Sequence, residues 1–290
     1  MKVIYYNGAD NGICGHFAVS LSNLCVGWEN ILKEADTEDD VEIILNSCYF
    51  DGHAFDYVFE QNRKIREQQK VITLEETHRS PILLQPIYIH FAQRKIHRND
   101  VFEQLPHLKT ILSKLSFQDE VENDFSSFIE NNKIGKNSLG VHIRITDMNH
   151  VHPEHGVHHF DDYVKIIDQI HHSYDNIFVA SDNIESIQKM KDLYPDKVVY
   201  FDDTVHVEST ETANHLIKVV QQWKQHGDPW NQRSSPWTRE DPRAWQEIFR
   251  EVMVLSRCGF LLGRSSSVSL CAILFSDDFN LCSKYRLVGS

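Results

Sequence analysis

The second half of the chain alternates apolar runs with amphipathic stretches, and this rhythm restricts the fold more than any other feature. "SLGVHIRI", "NIFVASD", "KVVYFDD" and "GFLLGR" each hold a short, nearly continuous apolar run. Between them, "FDDYVKIIDQIHHSY" sets Phe160, Tyr163, Ile166, Ile167 and Ile170 on one helical side. "NIESIQKMKDLYP", "WQEIFREVMVLSRC" and "SSSVSLCAILF" also read as helices, with a further one near "TANHLIKVVQQWKQ". Strands that are apolar along their length are buried on both faces, and strands joined through helices run parallel. The expectation is an α/β fold with a parallel sheet between helices.

The first half repeats the theme less regularly. "KVIYY" reads as a strand and "NGADNGICGHF", with Gly8, Gly12 and Gly15, as a Gly-rich loop. "FAVSLSNLCVGWENILKEA" reads as a helix with Phe17, Leu21, Leu24 and Trp28 near helical spacing. "VEIILNSCYF" is a second buried strand, and "AFDYVFEQNRKIREQQK" looks helical. Pro81 to Lys133 reads as mostly helical, with "PHLKTILSKLSF" the clearest piece. The polar "ENNKIGKNS" is a hinge candidate, which divides the chain into residues 1–134 and 135–290.

At 290 residues the chain is long enough for two such domains. A net charge of −13 disfavours a nucleic-acid binder, which needs a basic surface to release counterions. No apolar run approaches the roughly 20 residues that span a bilayer, and the start lacks the apolar core of a signal peptide. The six cysteines form no C-x-x-C pair, so they read as reduced thiols in a cytoplasmic setting.

Ligands of open α/β sheets bind beyond the carboxyl ends of the strands. Three strand ends here carry polar groups. In "GVHIRITDM", Val141, Ile143 and Ile145 alternate with His142 and Arg144, and Asp147 follows. "FVASDN" ends in Asp182, and in "LLGRSSSVS" the residues Ser265, Ser266 and Ser267 open a helix. Hydroxyls and N–H groups at a helix N-terminus beside an arginine form a cradle for an anion such as a diphosphate. Ordinary N-capping by the serines and a surface salt bridge at Arg144 are the plainer readings. Gly12 and His16 of "NGADNGICGH" add a phosphate-contact candidate, although the stretch has neither G-x-G-x-x-G nor Walker spacing.

"GVHIRITD", "FDDY", "IFVASD", "YP" and "LSRCGFLLGRSSSVS" occur in an order that resembles the three C-terminal motifs of the GDP-fucose-dependent fucosyltransferases. The nearest group is the α1,6 enzymes, which include core and Nod-factor fucosyltransferases. The resemblance covers about half the chain, from near Gly140 to near Phe275. It implies a GT-B-like fold of two Rossmann-like domains whose parallel sheets face across a cleft. It also implies a metal-independent, inverting transfer of fucose from GDP-fucose to a glycan hydroxyl, with no cofactor. The second domain would hold the nucleotide sugar, and the first would face the acceptor.

On this resemblance, Arg144 falls on the arginine of the family's H-x-R motif, which contacts the donor diphosphate. His142 falls on the motif histidine near the nucleotide, and Asp147 on the acid that follows. Glu251 falls on the acidic helix position that binds the guanine base. Ser266 and Ser267 fall near the serine pair that holds the diphosphate. Counting back from Tyr163, Glu154 lands on the general base. The chain departs from the α1,6 group at Ile145, where those enzymes carry a second arginine. That departure motivates another nucleotide sugar, such as a xylose donor, as the alternative. A non-catalytic binder of sugar nucleotides or glycans is a second alternative.

Breaking a sugar–diphosphate bond without a metal requires an arginine and helix-terminal N–H groups to carry the leaving charge. The acceptor hydroxyl needs a base, for which Glu154 comes first and Asp147 next, with His152 and His155 as alternatives. The His-rich "HVHPEHGVHH" matches neither a closed zinc site nor H-E-x-x-H, which leaves a metal-dependent hydrolase as the weakest alternative. Trp230 and Trp237, in the Pro- and Trp-rich loop after the expected helix near residue 220, are candidates to stack on a sugar ring.

Overall fold

The structure is a computed structural model that describes residues 1–7, 13–47, 54–65, 69–75, 107–145, 159–204, 242–264, 266–276 and 285–288. Two parallel sheets organise it. The first contains β1 (Lys2–Asn7), β2 (Glu42–Ser47) and β3 (Val71–Glu75) in the order β2-β1-β3. Helix α1 (Ile13–Glu34) connects β1 to β2 and buries Phe17, Leu21, Leu24 and Trp28, as its spacing predicts.

Helices α2 (Leu108–Ser113) and α3 (Asp119–Asn131) lead into the second sheet. Its strands are β4 (Ser138–Ile143), β5 (Asn176–Ser181), β6 (Val198–Val199), β7 (Phe260–Gly263) and β8 (Tyr285–Leu287). Between them lie α4 (Phe160–Ile170), α5 (Ile184–Leu193), α6 (Pro242–Arg257) and α7 (Ser267–Leu274). The strand order is β6-β5-β4-β7-β8, with every described pairing parallel. The α/β expectation with two parallel sheets is borne out.

Both faces of the second sheet are covered. Leu139, Val141 and Ile143 of β4 and Ile177 and Val179 of β5 pack with Tyr163, Ile166 and Ile167 of α4 and Ile187 and Met190 of α5. The opposite face sends Phe178, Ala180 and Leu261 into a larger cluster with α6 and α7. This division follows the two-residue period of a strand.

The larger cluster also takes in α1 and the segment around Phe55 of the first half. Phe17 stacks on Phe59 and on Phe275, each at 5.3 Å between ring centroids, and meets Phe249 edge-on at 5.2 Å. Phe55 meets Trp245 edge-on at 5.3 Å. Offset and edge-on ring pairs each contribute roughly 0.5–1.5 kcal/mol beyond the burial of their area. One apolar core therefore runs from the helix of the first sheet to two helices of the second.

One local expectation is corrected, and two strands are ones that the sequence reading does not name. The stretch after Ala54 is not a long helix: Ala54–Tyr57 forms one 3-10 turn, and Phe59 then makes an antiparallel bridge to Phe117. Phe55, Val58 and Phe59 are buried at a spacing that imitates a helix. Beyond them Gln61 reaches β2, where its side chain accepts the Leu45 N–H at 2.5 Å and donates to the Leu45 carbonyl at 3.2 Å. Arg63 bonds Asp56 and Asn46, each at 2.6 Å, so this polar segment satisfies the edge of β2. The first unnamed strand is β3, in "VITLE", whose exposed Val71 marks it as a sheet edge. The second is β8, which the sequence rhythm did not announce. The expected helix near residue 220 lies outside the described residues.

Candidate functional site

In the second sheet the chain runs outward from β4 through β5 to β6, then returns to the other side of β4 as β7. The connections on the two sides pack on opposite faces of the sheet, and ligands of open α/β sheets bind at such a switch point, beyond the carboxyl ends of the strands. The side chains of the site are gathered at that switch point.

His142 is the penultimate residue of β4 and pairs in register with Gly263 of β7. Its ring is 5% exposed. Nδ1 lies 3.1 Å from Ser269 Oγ and 3.2 Å from Ser266 Oγ. Burial drives the imidazole pKa down to about 3, and the guanidinium groups of Arg144 and Arg264 add to the shift, so the ring is neutral near pH 7.

Arg144 is the first residue beyond β4. Its N–H points to the Tyr163 hydroxyl at 3.5 Å, and its guanidinium stands 3.3 Å from Asp182 Oδ2, just beyond β5. Arg264 is the first residue beyond β7 and is 1% exposed, among the largest fully buried side chains. The Tyr285 hydroxyl of β8 donates to the Arg264 carbonyl at 2.7 Å and fixes the strand end. Two guanidinium groups thus flank one neutral histidine, an arrangement that attracts an anion.

Ser266 is the N-cap of α7: its extended backbone turns the side chain so that Oγ accepts the Ser269 N–H at 3.2 Å. The capping reading of this serine is correct, and the hydroxyl also belongs to the His142 cluster. Ser267 is the partly buried first residue of α7, where the helix dipole favours negative charge.

Glu251 lies on α6 and is partly buried. Desolvation pushes its carboxyl up to about 8; Arg250 opposes the shift, and the charges of Glu247 and Asp182 add to it. Glu251 and Asp182 are therefore close enough to sense each other. Arg250, one residue earlier, is structural. It bonds Asp203 at 2.6 Å, Asp124 at 2.7 Å and Thr204 at 2.9 Å, and lies over the Phe201 ring.

The structure brings together His142, Arg144, Asp182, Glu251 and Ser266 from the ends of β4 and β5, from α6 and from the start of α7, and Ser267 follows Ser266 as the first residue of α7. His16 lies in the first turn of α1 rather than in the loop expected for it, because the helix already begins at Ile13. Gly12, Asp147, Glu154 and Ser265 lie outside the described residues, as do His152, His155, Trp230 and Trp237. Among the described residues no group of three His, Cys, Asp or Glu side chains is placed to hold a metal ion. Arg264 and Ser269 were not foreseen. A cation directly after the apolar "FLLG" was the available signal for Arg264, but the three serines drew the reading past it. Ser269 reads from sequence as an ordinary helix residue.

No protein-family model matches the chain, and no curated protein sequence does. Solved structures similar to it include a NodZ α-1,6-fucosyltransferase soaked with GDP-fucose, at 15% identity over 94% of this chain and 91% of that one, with a TM-score of 0.49. POFUT1 in complex with GDP-fucose overlaps at 10% identity over 99% and 97% of the two chains, with a TM-score of 0.45. A FUT1 variant from Arabidopsis thaliana in complex with GDP overlaps at 10% identity over 99% and 69%, with a TM-score of 0.47.

Proposed function

We propose that this chain is a glycosyltransferase that binds a nucleoside diphosphate sugar, GDP-fucose first, and transfers the sugar to a glycan hydroxyl without a metal and with inversion. The observation that carries the reading is the convergence of Arg144, Arg264 and the N-terminus of α7 on neutral His142 at the β4–β7 switch point. The leaving group of such a transfer is a diphosphate whose negative charge grows as the sugar bond breaks. We assign that charge to Arg144 and the first N–H groups of α7, with Arg264 supplying a fixed positive field beside them. Glu154, with Asp147 as the alternative, is assigned the proton of the acceptor hydroxyl.

The division near residue 134 gives the donor to the second half, which contributes every described side chain of the site, and the acceptor to the first. Among the described residues no helix is long and apolar enough to cross a membrane. Cys14, Cys25, Cys258 and Cys271 are buried free thiols, and on them we assign the chain to a reducing, cytoplasmic setting.

A second donor reading follows from Ile145. This residue packs against the apolar cluster on the α4 and α5 side of β4, so the position supplies packing and no second guanidinium. A different sugar, such as xylose, then becomes the alternative. Thermal-shift titration with GDP, GDP-fucose, UDP and UDP-xylose separates the donors. A rise in Tm with GDP and GDP-fucose is expected, a response confined to the UDP species moves the reading to the second donor, and no response to any of the four overturns it.

A further inference from the structure

Three polar atoms close a triangle at the first turn of α7. Ser269 Oγ and Ser266 Oγ lie 3.1 and 3.2 Å from His142 Nδ1, and the two hydroxyl oxygens are 3.3 Å apart with Ser266 donating to Ser269. Ser266 Oγ also accepts the Ser269 N–H. The approach of β7 makes room for the triangle, since a methyl group on Gly263 would stand 2.9 Å from Ser269 Oγ.

Counting protons decides the direction of these bonds. The two hydroxyls bring two protons. If Nδ1 accepts, Ser266 donates to Ser269, Ser269 donates to Nδ1, and both protons are used inside the triangle. If Nδ1 carried a proton of its own, one hydroxyl proton would have to leave the triangle. Among the described residues neither serine hydroxyl donates elsewhere. With no third acceptor among the described residues, the network favours the lone pair on Nδ1 and the proton on Nε2.

The charged groups around the ring resist a second proton. Arg144 follows β4, Arg264 follows β7, and both oppose an imidazolium. Tyr163 of α4 stays an uncharged phenol because burial pushes its pKa up. Both hydroxyl contacts of the ring fall on Nδ1, and no hydrogen bond among the described residues falls on Nε2, which is not one of the fully buried polar atoms. An Nε2–H that solvent reaches is also within reach of a ligand oxygen.

We infer that Ser269 is a positioning residue: with Ser266 it fixes His142 as the Nε2–H tautomer, so that the ring offers a neutral N–H donor to a diphosphate oxygen of the bound nucleotide. The donor half of this inference rests on the nucleotide-sugar reading above. A neutral donor suits a site whose positive charge already comes from two arginines, because it adds a directed hydrogen bond without a third buried charge.

Nitrogen-15 NMR of the ligand-free protein tests the tautomer, with the His142 signals assigned by their loss in His142→Gln. A protonated Nε2 and an unprotonated Nδ1 at pH 7 are expected. A protonated Nδ1 overturns the inference. In Ser269→Ala a single hydroxyl remains, either direction of its bond to Nδ1 becomes possible, and a fraction with Nδ1 protonated should appear. An unchanged tautomer there removes the role given to Ser269.

GDP titration tests the donor. A glutamine amide reaches the place of Nε2, whereas an asparagine amide reaches only that of Nδ1. His142→Gln should bind GDP within about threefold of the wild type, and His142→Asn should lose roughly tenfold, the scale of one hydrogen bond. Equal losses in both variants overturn the donor role. Absence of GDP binding to the wild type overturns the nucleotide reading and the donor role with it, while the nitrogen spectrum still decides the tautomer.

Discussion

The guanidinium of Arg144 and the carboxylate of Asp182 stand 3.3 Å apart at the carboxyl ends of two neighbouring parallel strands. Arg144 is about one-third exposed and Asp182 is almost buried. The arginine is therefore held from beneath while part of its fork faces outward. A residue that serves mainly the fold would be buried on both sides.

Arg144→Ala is accordingly expected to separate binding from stability. Loss of a charge-assisted hydrogen bond should raise the Kd for GDP by at least tenfold. Stability should change less, by about 1 kcal/mol, because the arginine of the pair is one-third exposed and solvent screens its charge. Calorimetric titration beside thermal denaturation reads both. A large fall in Tm with unchanged GDP affinity would give Arg144 to the scaffold.

Glu251 should make the protein less stable as pH rises. Its folded pKa of about 8 lies above its ordinary value of 4.5, so between these pH values the folded state retains a proton that the unfolded state releases. The stabilisation is present below about pH 4.5 and is lost as pH climbs to about 8. Glu251→Gln cannot ionise, so its Tm should match the wild type near pH 4 and exceed it near pH 8.5. Parallel melting curves across that range that never diverge would contradict the assignment.

His142 acts in the opposite direction on the acid side. Its folded pKa of about 3 lies below its ordinary 6.5, so the unfolded state takes up a proton that the folded state refuses. Its contribution is present above about pH 6.5 and is lost as pH falls toward 3. Denaturant titrations of His142→Gln should show a shallower loss of stability between pH 6.5 and 4 than the wild type.

Gly259 ends the turn between α6 and β7, and a methyl group there would lie 1.9 Å from the Lys136 carbonyl oxygen. That oxygen belongs to the backbone and cannot swing away as a flexible side chain could. Gly259→Ala should cost about 2–3 kcal/mol, the scale of overpacking, and should lower Tm. By contrast, a methyl group on Gly135 meets nothing within 4 Å, so Gly135→Ala provides the tolerant control.

Much of the second sheet was legible because its strands are buried on both faces and its helices on one. The apolar run of β4 and the one-sided pattern of α4 are local properties, and each survives in the structure with nearly the expected bounds. β3 escaped because an edge strand needs no long apolar run, and the stretch from Phe55 was misread because two short elements happened to share a helical spacing. Arg144 and the α7 serines were legible as polar groups directly following or preceding regular elements.

The sequence by itself determined the parallel α/β class and the placement of His142, Arg144 and Asp182 at strand ends, because periodicity acts over a few residues and survives in any arrangement of the strands. Only the tertiary structure decided that β7 lies beside β4, a pairing between segments more than a hundred residues apart. That pairing buries Arg264, brings Ser269 to 3.1 Å from His142, and lets Phe17 of the first half stack on Phe275 of the second. Long-range order of this kind depends on how whole faces fit together, and no local spacing in the chain records it.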